Sequence, residues 1–388
     1  MENYSYFCNT RIEMGLGKSE QLPDLLKSLH IRSSVLLVSD PGVVKAGLVR
    51  PLQAILEGSG YRVILFDSVS QNPRDTECIA GAKVFNDENL EAVVAIGGGS
   101  AMDTGKAIAL LGPNGGTPIE YVEGKLQYTN IAPIICVPTT AGTGSEVTRS
   151  SVITESATHR KLTLKSASLR PTMAVLDPKL TYTVPQSVTA ATGVDALVHA
   201  IEGYTCKVTN PISQAFGARA MATIVSSLPV VFEDGENQQA RYKMQEGSLL
   251  AGLCFGSADV AAVHCLAEAL GGLYDTPHGV ANAVFLPYVL KFNAEEEKGI
   301  HADLARFMKF ATDLDSNESA VEKLIAGIRQ WTTNLEIPKL RDLPGVKKED
   351  FNRIVELAVQ NNSTPSNIRT IGAEDYRQIL HEAYEDIF

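Results

Sequence analysis

The sequence predicts an N-terminal α/β domain with a doubly wound, mostly parallel sheet, followed by an all-α C-terminal domain. Three observations carry this expectation. Short apolar, β-branched runs alternate with helical stretches in the first half. Beyond Val188 such runs nearly vanish, and apolar residues recur at helical spacing. At 388 residues the chain is also long enough for two cores. The expected division is 1–188 and 189–388.

The strands are read in order. SSVLLVSD (33–40), YRVILFDSV (61–69), LEAVVAIGGGS (90–100) and IAPIICVPTT (131–140) are each continuous, apolar and bounded by Gly, Pro, Asp or small polar residues. That is the pattern of strands buried on both faces of a parallel sheet. The intervening segments 43–58, 75–87 and 101–111 are long enough for crossover helices. In the second half, helices are expected over 189–206, 212–229, 238–254, 260–272, 279–294, 318–333 and 373–385, with turns at Asn-Pro, Asp-Gly and Thr-Pro. A short seam without a Ser- or Pro-rich linker suggests that the two domains share a cleft.

Composition excludes several function classes. Hydrophobic residues make up 44% and charged residues 20% of the chain, as in soluble globular proteins. A net charge of −11 leaves nothing to neutralise a row of phosphates, so no nucleic-acid partner is expected. The N-terminus MENYSYFCNTRIEMG shows no secretory leader, and no apolar run approaches a membrane span. The six cysteines are scattered, without a CxxC pair, which suits the cytoplasm and speaks against a four-thiolate zinc.

Two glycine-rich turns point to a dinucleotide. After the strand at 90–96, Gly97, Gly98, Gly99 and Ser100 lead into a helical stretch. Glycines allow close backbone approach, and free N–H groups at the positive helix end meet a diphosphate. GGGS lacks the full GxGxxG spacing, and a tight turn without ligand remains open. A second turn, Pro138 to Glu146, sets the hydroxyls of Thr139, Thr140 and Thr143 among glycines, where they can bond ribose, phosphate or carboxamide. Asp40, at the end of the first of these strands, can take a ribose hydroxyl and would repel a 2′-phosphate, favouring NAD over NADP. Its alternative role is a helix N-cap.

Four residues form a metal-binding pattern. Asp195 and His199 are four apart, hence on one helix face. His264 lies in the next-but-two helix, and His278 immediately precedes another. One carboxylate and three imidazoles suit Fe²⁺, Zn²⁺, Co²⁺ or Ni²⁺.

With these motifs the chain resembles the iron-containing (group III) alcohol dehydrogenase family over essentially its whole length. The landmarks are GGGSAMDTGKAIA (97–109), PTTAGTGSEVT (138–148), DPKLT (177–181), TGVDALVHAIEGY (192–204) and TPHGVANAVFLPYVLKFN (276–293). The resemblance implies an NAD(H)-linked alcohol dehydrogenase or aldehyde reductase. Its small alcohol or aldehyde substrate would bind the metal through oxygen, and the enzyme would be a homodimer or higher homo-oligomer. Asp195, His199, His264 and His278 would hold one divalent metal, Fe²⁺ first and Zn²⁺ second. Gly97, Gly98, Gly99 and Ser100 would contact the cofactor diphosphate, with Thr139, Thr140 and Thr143 nearby. Asp40 and Asn72 would lie around the adenosine side, and Lys161 and Leu180 would border the cofactor.

One departure matters. The family carries a histidine four residues after its third ligand, where this chain has Glu268. A glutamate there is expected on the His264 face, as a proton acceptor, a partner of His264 or a substrate-binding group; a solvated carboxylate without a catalytic part is the alternative. Two other functions are weighed. One is a glycerol-dehydrogenase- or dehydroquinate-synthase-like member of the superfamily, and the other an assembly protein that has lost activity.

Overall fold

The computed structural model describes residues 3–158 and 160–388, so His159 lies outside the described residues. The chain forms two compact units. One comprises Cys8–Thr140 and Gly144–Val184; the other comprises residues up to Phe7, Ala141–Thr143 and Pro185–Phe388.

The α/β unit contains β1 (Arg11–Met14), α1 (Leu22–Ser28), β2 (Ser34–Val38), α2 (Pro41–Lys45), α3 (Val49–Gly58), β3 (Arg62–Phe66), α4 (Asp75–Asp87), β4 (Ala92–Gly97), α5 (Gly99–Asn114) and α6 (Pro118–Val122). It continues with β5 (Ile134–Pro138), the hairpin β6 (Ser150–Thr154) and β7 (Lys161–Lys165), and β8 (Met173–Leu176). The main sheet runs β1-β8-β5-β4-β2-β3 with every pair parallel; β6 and β7 form a separate antiparallel ribbon. β2, β4, β5 and β8 are buried along their whole length, which explains their unbroken apolar sequences. From β2 the chain first moves outward to β3, then returns to the other side of β2 as β4. The strand order therefore reverses between β2 and β4, the position where doubly wound sheets bind ligands beyond the strand carboxyl ends.

The four predicted strands are all present. The stretch 43–58 divides into α2 and α3 because Gly47 takes φ +79° between them. β1, β8 and the hairpin are additions to the sequence-based expectation.

The helical unit contains α7 (Gln186–Thr205), α8 (Pro211–Glu233), α9 (Gln238–Phe255), α10 (Ala262–Tyr274), α11 (His278–Ala294), α12 (Lys298–Phe307), α13 (Asn317–Asn334), α14 (Phe351–Gln360) and α15 (Ala373–Glu385). All seven predicted helices are there, joined by α12 and α14. Their apolar faces merge into one large core, with α7, α8 and α9 packed together and α10 lying against α11 and α14. Such a continuous core, at roughly 25 cal/mol per Å² of apolar surface removed from water, holds the ligand-bearing helices in fixed register.

Candidate metal and cofactor sites

α7 brings Asp195, His199 and Glu202 onto one face, since they stand at helical intervals of four and three. Asp195 and His199 are 2% and 4% exposed. His264 is the third residue of α10, and His278 opens α11 after Pro277. One donor atom from each of Asp195, His199, His264 and His278 lies within 4.8 Å of all the others. Individual separations include 3.0 Å between the Nε2 atoms of His199 and His264, and 3.7 Å from His278 Nε2 to Asp195 Oδ1.

The surroundings prepare these groups for a cation. Glu202 Oε2 lies 2.6 Å from His264 Nδ1. The same carboxylate accepts the backbone N–H groups of Ala261 and Val263 at 2.8 and 2.7 Å, so it also serves the open N-terminus of α10. With Nδ1–H committed to Glu202, neutral His264 presents a lone pair at Nε2, facing Nε2 of His199. Asn282, one turn after His278, donates to Asp195 Oδ1 at 2.7 Å and lies 3.1 Å from His278 Nε2. His199 stacks on Phe255, with centroids 4.1 Å apart.

Electrostatics favours ligation at His199 and Asp195 and works against it at His264. Burial drives His199 down to about 3, against the opposing pull of Asp195, so its imidazole is neutral and free to ligate. Burial also disfavours charge on His264, but Glu202, through a hydrogen bond and its charge, reverses the direction and raises that group. Burial would raise Asp195, yet the three imidazoles and Asn282 outweigh it and hold the carboxyl low. A dication about 2.1 Å from each donor would separate tetrahedral ligand atoms by about 3.4 Å. The observed separations bracket that value, and the residues fit a divalent ion. Glu202 and Asn282 were not singled out by sequence; their only signal is helical spacing from Asp195, His199 and His278.

In the α/β unit, the carboxyl ends of β2, β4 and β5 lie side by side. Gly97 takes φ +154°, and a Cβ there would stand 2.7 Å from Ala101 Cβ. Gly97, Gly98, Gly99 and Ser100 form the turn into α5, whose N-cap Gly98 makes no side-chain cap. Ser100 Oγ donates to the Gln71 carbonyl. Thr139 N–H donates to the Gly97 carbonyl at 2.9 Å, joining the two glycine-rich turns. Thr140 lies beside Gly98, a Cβ on which would be 3.5 Å from the threonine Oγ1. Asp40 does cap α2, its Oδ1 accepting from Gly42 and Val43, while Oδ2 faces Gly97. Lys161 Nζ donates to Asn72 Oδ1 at 2.8 Å and to Thr154 Oγ1 at 3.0 Å. Leu180 is buried in the core beneath the sheet, and Thr143 belongs to the short segment that packs with the helical unit. Glu268 is half-buried, and its Oε2 accepts from Asn361 Nδ2 at 2.7 Å.

Comparison with known proteins places these features. Residues 9–178 match the iron-containing alcohol dehydrogenase family, and residues 189–384 match the C-terminal domain of the Fe-containing alcohol dehydrogenase family. The chain belongs to the iron-containing alcohol dehydrogenase family. It is 39% identical to 1,3-propanediol dehydrogenase of Citrobacter freundii, over 90% of this chain and 91% of that one. It is 33% identical to NAD-dependent methanol dehydrogenase of Bacillus methanolicus, over 98% of this chain and 99% of that one. A crystal structure of 1,3-propanediol oxidoreductase superimposes with a TM-score of 0.94, at 37% identity and covering 100% of both chains.

Proposed function

We propose that this protein is a metal-dependent, NAD(H)-linked alcohol dehydrogenase that interconverts small primary alcohols and aldehydes. The observation that carries the reading is the convergence of Asp195, His199, His264 and His278 with Glu202 fixing the His264 tautomer. A divalent ion there, Fe²⁺ first and Zn²⁺ second, supplies Lewis-acid polarisation of a carbonyl or alcohol oxygen. Asp195 is the only anion among the four, so the set leaves net positive charge for a substrate oxygen. Asn282 holds Asp195 in place, and Glu202 keeps the His264 proton on Nδ1.

Gly97, Gly98, Gly99 and Ser100, with the N–H groups opening α5, hold the cofactor diphosphate. The free oxygen of Asp40 takes a ribose hydroxyl and disfavours a 2′-phosphate. Asn72, Thr139, Thr140, Thr143, Lys161 and Leu180 complete the cofactor's surroundings. A nicotinamide held there would supply hydride for aldehyde reduction, with a proton taken up from water, and would accept hydride in the reverse direction. The six free thiols suit a reducing cytoplasm, and the family resemblance implies a homodimer or higher homo-oligomer.

The test is NADH oxidation with a panel of small aldehydes, using protein reconstituted separately with Fe²⁺ and Zn²⁺ beside a chelated control. Metal-dependent turnover is expected. No oxidation with either metal and any aldehyde would overturn the reading.

A further inference from the structure

We infer that Glu268 selects hydroxylated aldehydes, its carboxylate accepting a hydrogen bond from a second hydroxyl on the substrate; the inference rests on the function proposed above. Glu268 stands one helical turn after His264 on α10, hence on the same face as that ring.

The orientation of the carboxylate is fixed from outside α10. Asn361 Oδ1 is occupied by the Ser363 N–H at 2.9 Å, so the Asn361 amide must turn its Nδ2 toward Glu268 Oε2, which it reaches at 2.7 Å. Ser363 Oγ in turn donates to Asp259 Oδ1 at 3.2 Å, and Ser366 Oγ donates to Asp259 Oδ2 at 2.8 Å. This chain ties the turn after α14 to the segment before α10. One carboxylate oxygen is thus spent on Asn361. The other, Oε1, meets no hydrogen-bond donor among the described residues.

A half-buried acceptor with one free oxygen, held beside a metal-ligating imidazole, is matched by a ligand O–H. Charge-assisted hydrogen bonds of this kind discriminate by about tenfold or more. The same charge repels a substrate carboxylate. A glutamine at 268 would have to offer its oxygen to Asn361 Nδ2, leaving its NH₂ toward the ligand. The acceptor becomes a donor, and anionic aldehydes become acceptable.

The experiment compares kcat/KM for 3-hydroxypropanal, propanal and succinic semialdehyde in the Fe²⁺-reconstituted protein with NADH, for wild type, Glu268→Met and Glu268→Gln. In parallel, calorimetry measures binding of 1,3-propanediol and 1-propanol to each NADH complex. Wild type is expected to favour 3-hydroxypropanal over propanal, and 1,3-propanediol over 1-propanol, by tenfold or more. Glu268→Met should reduce both ratios about tenfold. Glu268→Gln, which keeps the side-chain volume, should raise succinic semialdehyde relative to propanal by a similar factor. Ratios unchanged in both variants would overturn the inference while leaving the enzyme class intact. Absence of turnover in wild type would instead remove the proposed function, and equal binding of diol and alcohol would then overturn the inference on its own.

Discussion

Glu202 Oε2 lies 2.6 Å from Nδ1 of His264, and this carboxylate also receives the backbone N–H groups of Ala261 and Val263. All three donors need an acceptor; a carboxylate offers an oxygen to each, whereas an amide turns an N–H toward at least one of them. The contact links the helix that carries Asp195 and His199 to the start of the helix that carries His264.

Replacing Glu202 with Gln puts an NH₂ against at least one of those donors. Metal affinity is expected to fall about 10–100-fold, as with other groups that orient a ligating histidine. Competition with a chromogenic chelator measures it. Wild-type affinity in Glu202→Gln would show that the His264 tautomer is set by something else.

Asp40 caps α2, and two substitutions separate that observed role from the ribose-binding role proposed for its other oxygen. Ser also caps helices, so Asp40→Ser should keep the α2 N-terminus while removing the charge; Asp40→Ala loses the cap at a cost of about 1 kcal/mol. Both variants should gain activity with NADPH relative to NADH, and only Ala should lower thermal stability. Unchanged cofactor preference in both would reduce Asp40 to its capping role.

How much was legible follows from particular residues. The β2, β4 and β5 sequences are apolar throughout because both faces are covered, and that pattern needs no tertiary information. β1 was not legible: Arg11–Met14 is exposed or half-buried at the sheet edge and carries no apolar run. α12 was likewise obscured by its polar content, with only His301, Ala302, Leu304 and Ala305 buried. The metal-binding pattern could be read because Asp195 and His199 share a helix face. Glu202 and Asn282 could not, since acids and amides at helical spacing are common and their meaning depends on helix packing. Asn361 lies 93 residues from Glu268, and no spacing rule joins them.

Gly279 is a third test, because a Cβ there would stand 2.3 Å from the Ala191 carbonyl oxygen, a backbone atom of α7. Gly279→Ala must displace the start of α11, and with it the adjacent His278. A stability loss of about 1–3 kcal/mol is expected, together with weaker metal binding. Gly272→Ala is the control, since its Cβ would meet nothing within 4 Å and alanine is the better helix former. Equal metal affinity and equal melting temperature in the two variants would contradict the close approach.

Glu146 gives a pH prediction in the α/β unit. It is 2% exposed, and burial pushes its carboxyl up to about 7 against the opposing effect of its own backbone N–H and of Lys106. Its folded value lies above the ordinary 4.5, so between those limits the folded protein keeps a proton that the unfolded chain has lost. The associated stability is fully present below pH 4.5 and is lost as pH rises through about 7, an effect of order 2–3 kcal/mol. Glu146→Gln keeps the shape and cannot ionise, so it should melt higher than wild type at pH 8 and show little advantage at pH 5. Melting curves at both values, on protein with identical metal content, decide the point. A gain of equal size at both values would mean that Glu146 does not change its protonation on folding in this range.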